Sequence, residues 1–167
     1  MRYETHYRLQ FATPPLPVIS VPDRAPDSVT APLSDAFALV WASPGAALNA
    51  LRRAVEAVLN EHGVDTTEET RRGPRTLNAH GRILLFKAQA AGHPERVEAA
   101  DTLLAVKWAG NEGSHAGDAS SSTCLEAMDH IAHALRILYP VPDDNSDRIR
   151  RRVQEINQNR GTGRPVP

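Results

Sequence analysis

One cysteine, Cys124, stands in a chain of 167 residues. An internal disulfide and a cysteine-based zinc ribbon are both excluded. No apolar run approaches the ~20 residues of a membrane-spanning helix. The N-terminus, Met1-Arg2-Tyr3-Glu4, has no apolar signal-peptide core. The expectation is a cytoplasmic chain with no membrane partner. Net charge is −1, so no global basic field argues for nucleic acid. Gly-rich phosphate loops of Walker or Rossmann spacing are missing, and so is a nucleophile elbow. Internal repeats and low-complexity tracts are missing too. No cofactor is expected.

What remains is an ordinary globular composition, 41% hydrophobic and 23% charged. The length suffices for one domain with a real core. The 13 prolines fall almost entirely outside the periodic segments. Residues 2–11 alternate, with Tyr3, Thr5, Tyr7, Leu9 and Phe11 on one side, as in a strand. Leu16 to Val21 suits a second short strand, confined to an edge by Pro14, Pro15 and Pro17. Residues 22–32, with three prolines, read as a linker.

From Leu33 on the pattern is helical. A first helix covers Leu33 to Ala42. Ser43-Pro44 opens a second, striped by Leu48, Leu51, Val55, Val58 and Leu59 and stopped at Gly63. Residues 64–75 read as a polar loop, and Thr76 as the cap of a third helix ending at Gly92. Pro94 opens a fourth, with Val97, Leu104 and Trp108 expected inward. Thr123 and Glu126 suggest a capping box for a fifth, striped by Leu125, Met128, Ile131, Leu135 and Leu138 and ended by Pro140 and Pro142. Residues 146–159 suit a basic helix with Ile149, Val153 and Ile156 on one side, and residues 160–167 a disordered tail. The expected fold is all-α, an antiparallel bundle of about five main helices with a short N-terminal extended or β segment. Its divisions are 1–32, an extended segment and linker; 33–142, the bundle; and 143–167, a basic helix and tail.

The most informative stretch is Lys107-Trp108-Ala109-Gly110-Asn111-Glu112-Gly113-Ser114-His115. Lys107, Asn111 and His115 recur every fourth residue, which stacks them on one helix face. Gly110 and Gly113 clear space for a ligand or a neighbouring backbone. A His beside an Asn amide suits general acid–base work near neutral pH, with the amide holding a phosphate or the imidazole tautomer. Lys107, one turn earlier, would offset phosphate charge. The plainer alternative is a polar brace that ties down the following loop.

Together with Ala47 to Glu56 and Leu77 to Phe86, this stretch resembles a bacterial family, the domain of unknown function 4145, over about residues 30–140. That family is similar to the HEPN superfamily of helical bundles, many of them metal-independent ribonucleases that work as dimers. Members often occur fused to restriction enzymes or other defence proteins. The resemblance implies a HEPN-like bundle, a homodimer, and a protein partner in a defence or restriction system. Residue by residue, it places the family's Gly-Asn and terminal His on Gly110, Asn111 and His115. It places the family's Arg and Glu on Arg53 (or Arg52) and Glu56, and puts Lys107 where the family carries arginine. Lysine does not replace a bidentate arginine on phosphate.

Three functions follow as expectations. The first is a non-catalytic interaction or dimerisation module of a defence or restriction-type system. The second is a dimeric, metal-independent ribonuclease, with His115 as acid–base, Asn111 orienting phosphate, and Lys107 or Arg53 stabilising charge. The third is nucleic-acid binding, RNA included, through Arg148, Arg150, Arg151 and Arg152. Arg52, Arg53 and Glu56 also read as an ordinary ionic brace. His130-x2-His133 has metal-ligand spacing, but the flanking stripe turns both aside, and no metal is expected. Cys124 reads as buried rather than nucleophilic.

Overall fold

The computed structural model describes residues 12–115, 119–141 and 144–161, with the backbone alone at 112–115, 144–147 and 159–161. It contains six helices and one hairpin. In chain order these are α1 (Asp27–Leu39), α2 (Pro44–Glu61), β1 (Thr67–Thr70), β2 (Gly73–Thr76), α3 (Ala79–Gln89), α4 (Pro94–His115), α5 (Ser121–Leu138) and α6 (Asp144–Gly161). The fold is the expected helical bundle with a small β element. Among the described residues no helix is long and apolar enough to cross a membrane.

α2 is the central element and packs against α1, α3, α4 and α5. The reason lies in its sequence. Ala47, Leu48, Ala50, Leu51, Ala54, Val55, Val58 and Leu59 are all buried, an apolar arc too wide for one neighbour. Alanine on three of its turns lets the flanking helices approach closely. α2 begins at Pro44, as expected, although Ser43 makes no side-chain cap. It ends in a left-handed Gly63 (φ 66°), with Val64 N–H donating to Leu59 O at 2.9 Å. α5 buries Cys124, Met128, Ile131 and Leu135 against α2 and α4. Its N-cap is Ser120, whose Oγ accepts from Thr123 N–H at 3.0 Å, three residues ahead of the expected cap.

Several expectations are corrected. α1 starts at Asp27, inside the stretch read as a linker, and contains Pro32. Pro26 stands at the N-cap, where its missing donor costs nothing; Pro32 lies in the second turn and removes one backbone donor, and the buried row Val29, Pro32, Leu33, Ala36 and Phe37 carries the segment. Residues 16–21 form no strand. The strand expected at 2–11 and the disorder expected at the C-terminal end lie outside the described residues, apart from the last turn of α6. The β element is instead the hairpin at 67–76, within the stretch read as a loop. It pairs Thr67 with Thr76 and Thr70 with Gly73. Thr76 therefore ends a strand, and α3 is capped by Asn78, whose Oδ1 accepts from Gly81 N–H at 2.9 Å.

Arg82, buried at 6% exposure, clasps the α2–β1 turn to α3. Its guanidinium donates to Asn60 Oδ1 (2.8 Å), Val64 O (2.8 Å) and Asp65 O (3.3 Å). At the same end of α2, the His62 ring lies between Phe86 (5.3 Å) and Tyr139 (5.7 Å). α6 packs against no other element among the described residues. Ile149 and Val153 are half exposed, so this face is not docked on the described bundle.

A candidate anion site where α2 crosses α4

The N-terminal half of α2 lies against the C-terminal half of α4, and the two helices cross at Gly110. A Cβ there would stand 2.7 Å from Arg52 Cδ and 2.8 Å from Arg52 Cγ. Glycine is required for this close approach, not for its backbone angles. The Arg52 stem thus lies across the α4 surface, and its charge reaches Lys107, three residues before Gly110.

Lys107 is on the buried face of α4 and is only 9% exposed. The row running Ala99, Ala100, Leu103, Val106, Lys107 and Gly110 faces the bundle. The row expected inward lies on its flank: Val97 and Leu104 are half-buried and Trp108 is 49% exposed. Lys107 Nζ sits 3.3 Å from the centroid of the Trp108 ring, a cation–π contact. Burial, and next the Arg52 guanidinium, lower the Lys107 pKa from the usual lysine value. Neither Arg52 nor Lys107 has a carboxylate partner among the described residues. Two cations therefore share one spot with no carboxylate partner among the described residues, and one of them is largely buried. Trp108 extends the patch, since its other neighbour is the His80 ring at 5.6 Å, on the first turn of α3.

The other expected site residues separate. Asn111 is half-buried one turn beyond Lys107. The backbone of His115 ends α4. Its side chain lies outside the described residues, and with it the expected convergence on Asn111. Arg53 points away to α1, where it pairs with Asp35 at 2.8 Å. Glu56 is exposed and pairs with neither arginine among the described residues, so the expected Arg–Glu brace is replaced by Arg53–Asp35. Of the two arginines, Arg52 belongs to the site. Arg148, Arg150, Arg151 and Arg152 are all exposed on α6, and Arg152 pairs with Glu155 of the same helix at 3.2 Å.

His133 contacts Glu98 at 2.7 Å and braces α5 to α4. Among the described residues no three metal-ligating side chains gather. Cys124 is fully buried, and burial pushes its thiol up to about 11, away from nucleophilic duty. Trp108 and His80 were not legible as site residues. A tryptophan beside a lysine on an apolar stripe reads as core, and only the true phase of α4 turns it outward.

A family model described as a domain of unknown function, DUF4145, matches residues 34–159, three quarters of the chain. The chain belongs to that family. No curated protein and no solved structure matches it.

Proposed function

We propose that this DUF4145 chain is a helical interaction module whose α2–α4 crossing takes a phosphate-bearing, single-stranded nucleic acid. The reading rests chiefly on the pair Arg52 and Lys107, which has no carboxylate partner among the described residues. Holding a cation out of water without a counter-charge is costly, and an incoming phosphate would supply that charge. Trp108, half exposed beside the two cations, offers a face on which an unpaired base would stack. Asn111 would add an amide donor one turn away. Duplexes fit less well, because their bases are already stacked and offer Trp108 no free face. Within the defence or restriction setting that the family resemblance implies, the module would read single-stranded RNA for a partner protein.

Hydrolysis is a second reading, favoured by Asn111 and His115 on the same helix as Lys107. It would place an acid–base group two turns from the phosphate-binding lysine.

The test is titration of short single-stranded RNA against a Trp41→Phe protein, where the remaining indole is Trp108. Binding should quench its fluorescence, and Lys107→Met should weaken the affinity by about 1.5–3 kcal/mol, the value of a charge-assisted contact. Fluorescence that ignores RNA in the unsubstituted-lysine protein would remove the proposal. Shortened RNA in the same samples, lost in His115→Ala, would convert the module into an enzyme.

A further inference from the structure

α6 runs for 18 residues, roughly 27 Å, and no other element covers it among the described residues. Helical spacing puts Ile149, Val153 and Ile156 on one ridge. Arg148 and Arg152 run along one shoulder of that ridge and Arg150 along the other. Ile149 is 53% and Val153 49% exposed. Apolar side chains in register on a helix that no described element covers take no part in the described core.

The bundle carries a groove of the opposite character. It is shallow and open to solvent, lies between α4 and α5 with a volume of about 520 Å³, and is lined by Pro94, Val97 and Ala105 together with Glu98, Asp101 and His130. Glu126 is exposed one turn before His130. The two α4 carboxylates are already paired, Glu98 with His133 and Asp101 with Lys87. Their side chains still keep 59% and 51% of their surface in water, so each can accept a further donor.

We propose that α6 of one copy lies in the α4–α5 groove of a second copy, and reciprocally, so that the chain forms an exchanged two-fold dimer. The ridge would fill the apolar floor. The arginine shoulders would meet Glu98 and Asp101 on one wall and Glu126 on the other. One two-fold operation satisfies both helices and both grooves and leaves no open end. Charge complementarity sets the pairing, because like charges facing one another across an interface cost several kcal/mol. A nucleic acid on α6 would use the arginines and leave Ile149, Val153 and Ile156 in water. The proposal is independent of any ligand at the α2–α4 crossing.

Sedimentation equilibrium of the full chain tests it with two double variants. The helix variant is Arg148→Glu with Arg152→Glu; the groove variant is Glu98→Lys with Asp101→Lys. The wild-type chain should dimerise, and each variant alone should weaken the dimer by about tenfold or more. Mixed together, the variants should associate again, since in the mixed pair every groove faces a helix of opposite charge. Ile149→Glu with Val153→Glu, at exposed positions that no core packing needs, should weaken the dimer with an unchanged circular dichroism spectrum. A wild-type monomer throughout the micromolar range would overturn the proposal, including one that dimerises only on added RNA. So would a dimer indifferent to all three variants, or a mixture that stays monomeric.

Discussion

Gly110 shows how one missing side chain shapes the site. Alanine is the better helix former by about 1 kcal/mol. Its Cβ would, however, meet the middle of the Arg52 stem at 2.7 and 2.8 Å, and forcing atoms into such a contact costs about 1–3 kcal/mol. The overlap outweighs the propensity. Gly110→Ala should therefore lower thermal stability in the wild-type background and raise it when Arg52 is alanine. A thermal-melt double-mutant cycle checks this. Additive effects would mean that Arg52 does not lie across Gly110. Lys107 argues likewise. Its cation–π contact with Trp108 is worth about 0.5–1 kcal/mol at an exposed ring, and the uncompensated burial next to Arg52 works against it. Lys107→Met removes both effects, and the ligand-free Tm of that variant reads their difference.

At the scale of elements, the clasp of Arg82 and the ring cluster at His62 hold the far end of α2. Arg82→Ala would strip the donor from Asn60 Oδ1, Val64 O and Asp65 O. Hydrogen bonds to a charged group contribute about 1.5–3 kcal/mol, so chemical denaturation should show a loss of at least about 2 kcal/mol. A loss below about 0.5 kcal/mol would mean that the clasp is dispensable. His62 gives this end a pH dependence. Burial, and next the charge of Arg96, lower its pKa below the ordinary 6.5, with Glu61 opposing; Phe86 and Tyr139 complete its surroundings. The folded chain then binds the proton more weakly than the unfolded chain does. The contribution is complete above about pH 6.5 and is lost as the pH falls below it. Tm should drop as the pH falls below about 6.5, and His62→Phe should flatten the drop. An unchanged pH profile in that variant would assign the effect to other groups.

Much of this scale was legible in the sequence. The stripes of α2 and α5 consist of large aliphatic residues at helical spacing, and burial follows such stripes closely. α4 was misphased for a physical reason. Its buried row begins with two alanines, carries only Leu103 and Val106 as larger aliphatic residues, and also contains Lys107 and Gly110, whereas its largest apolar residue, Trp108, lies outside. Hydrophobic pattern alone favours the larger side chain, and the packing of α2 against Gly110 decides otherwise. The hairpin at 67–76 was missed because its strands, Thr67–Thr70 and Gly73–Thr76, are polar and almost fully exposed, with no alternation to read. Prolines at 22, 26 and 32 hid the start of α1, although the buried row from Val29 to Phe37 was present in the chain. In the site, the grouping of Lys107, Gly110 and Asn111 on one segment was visible. The choice of Arg52 over Arg53 was not. Adjacent arginines on a helix differ by about 100° in direction, and only the position of α1 sends Arg53 to Asp35.

On the scale of the whole molecule, the bundle keeps its two special regions apart in character. One is the α2–α4 crossing, where Arg52 and Lys107 pair with no carboxylate among the described residues. The other is the α4–α5 groove, lined by Glu98 and Asp101 and proposed to take α6 of a second copy. A net charge of −1 conceals both, because they cancel in the sum. The central claim is that the first region attracts a phosphate-bearing strand. Its most direct measurement is the affinity for single-stranded RNA as a function of salt, in the wild type and in Arg52→Met with Lys107→Met. Each cation neutralising a phosphate on a single strand adds about 0.7 to the slope of log affinity against log salt. The account predicts that the double variant stays folded, binds at least tenfold more weakly, and has a slope shallower by about 1.4. Equal affinity and equal slope in the two proteins would contradict it.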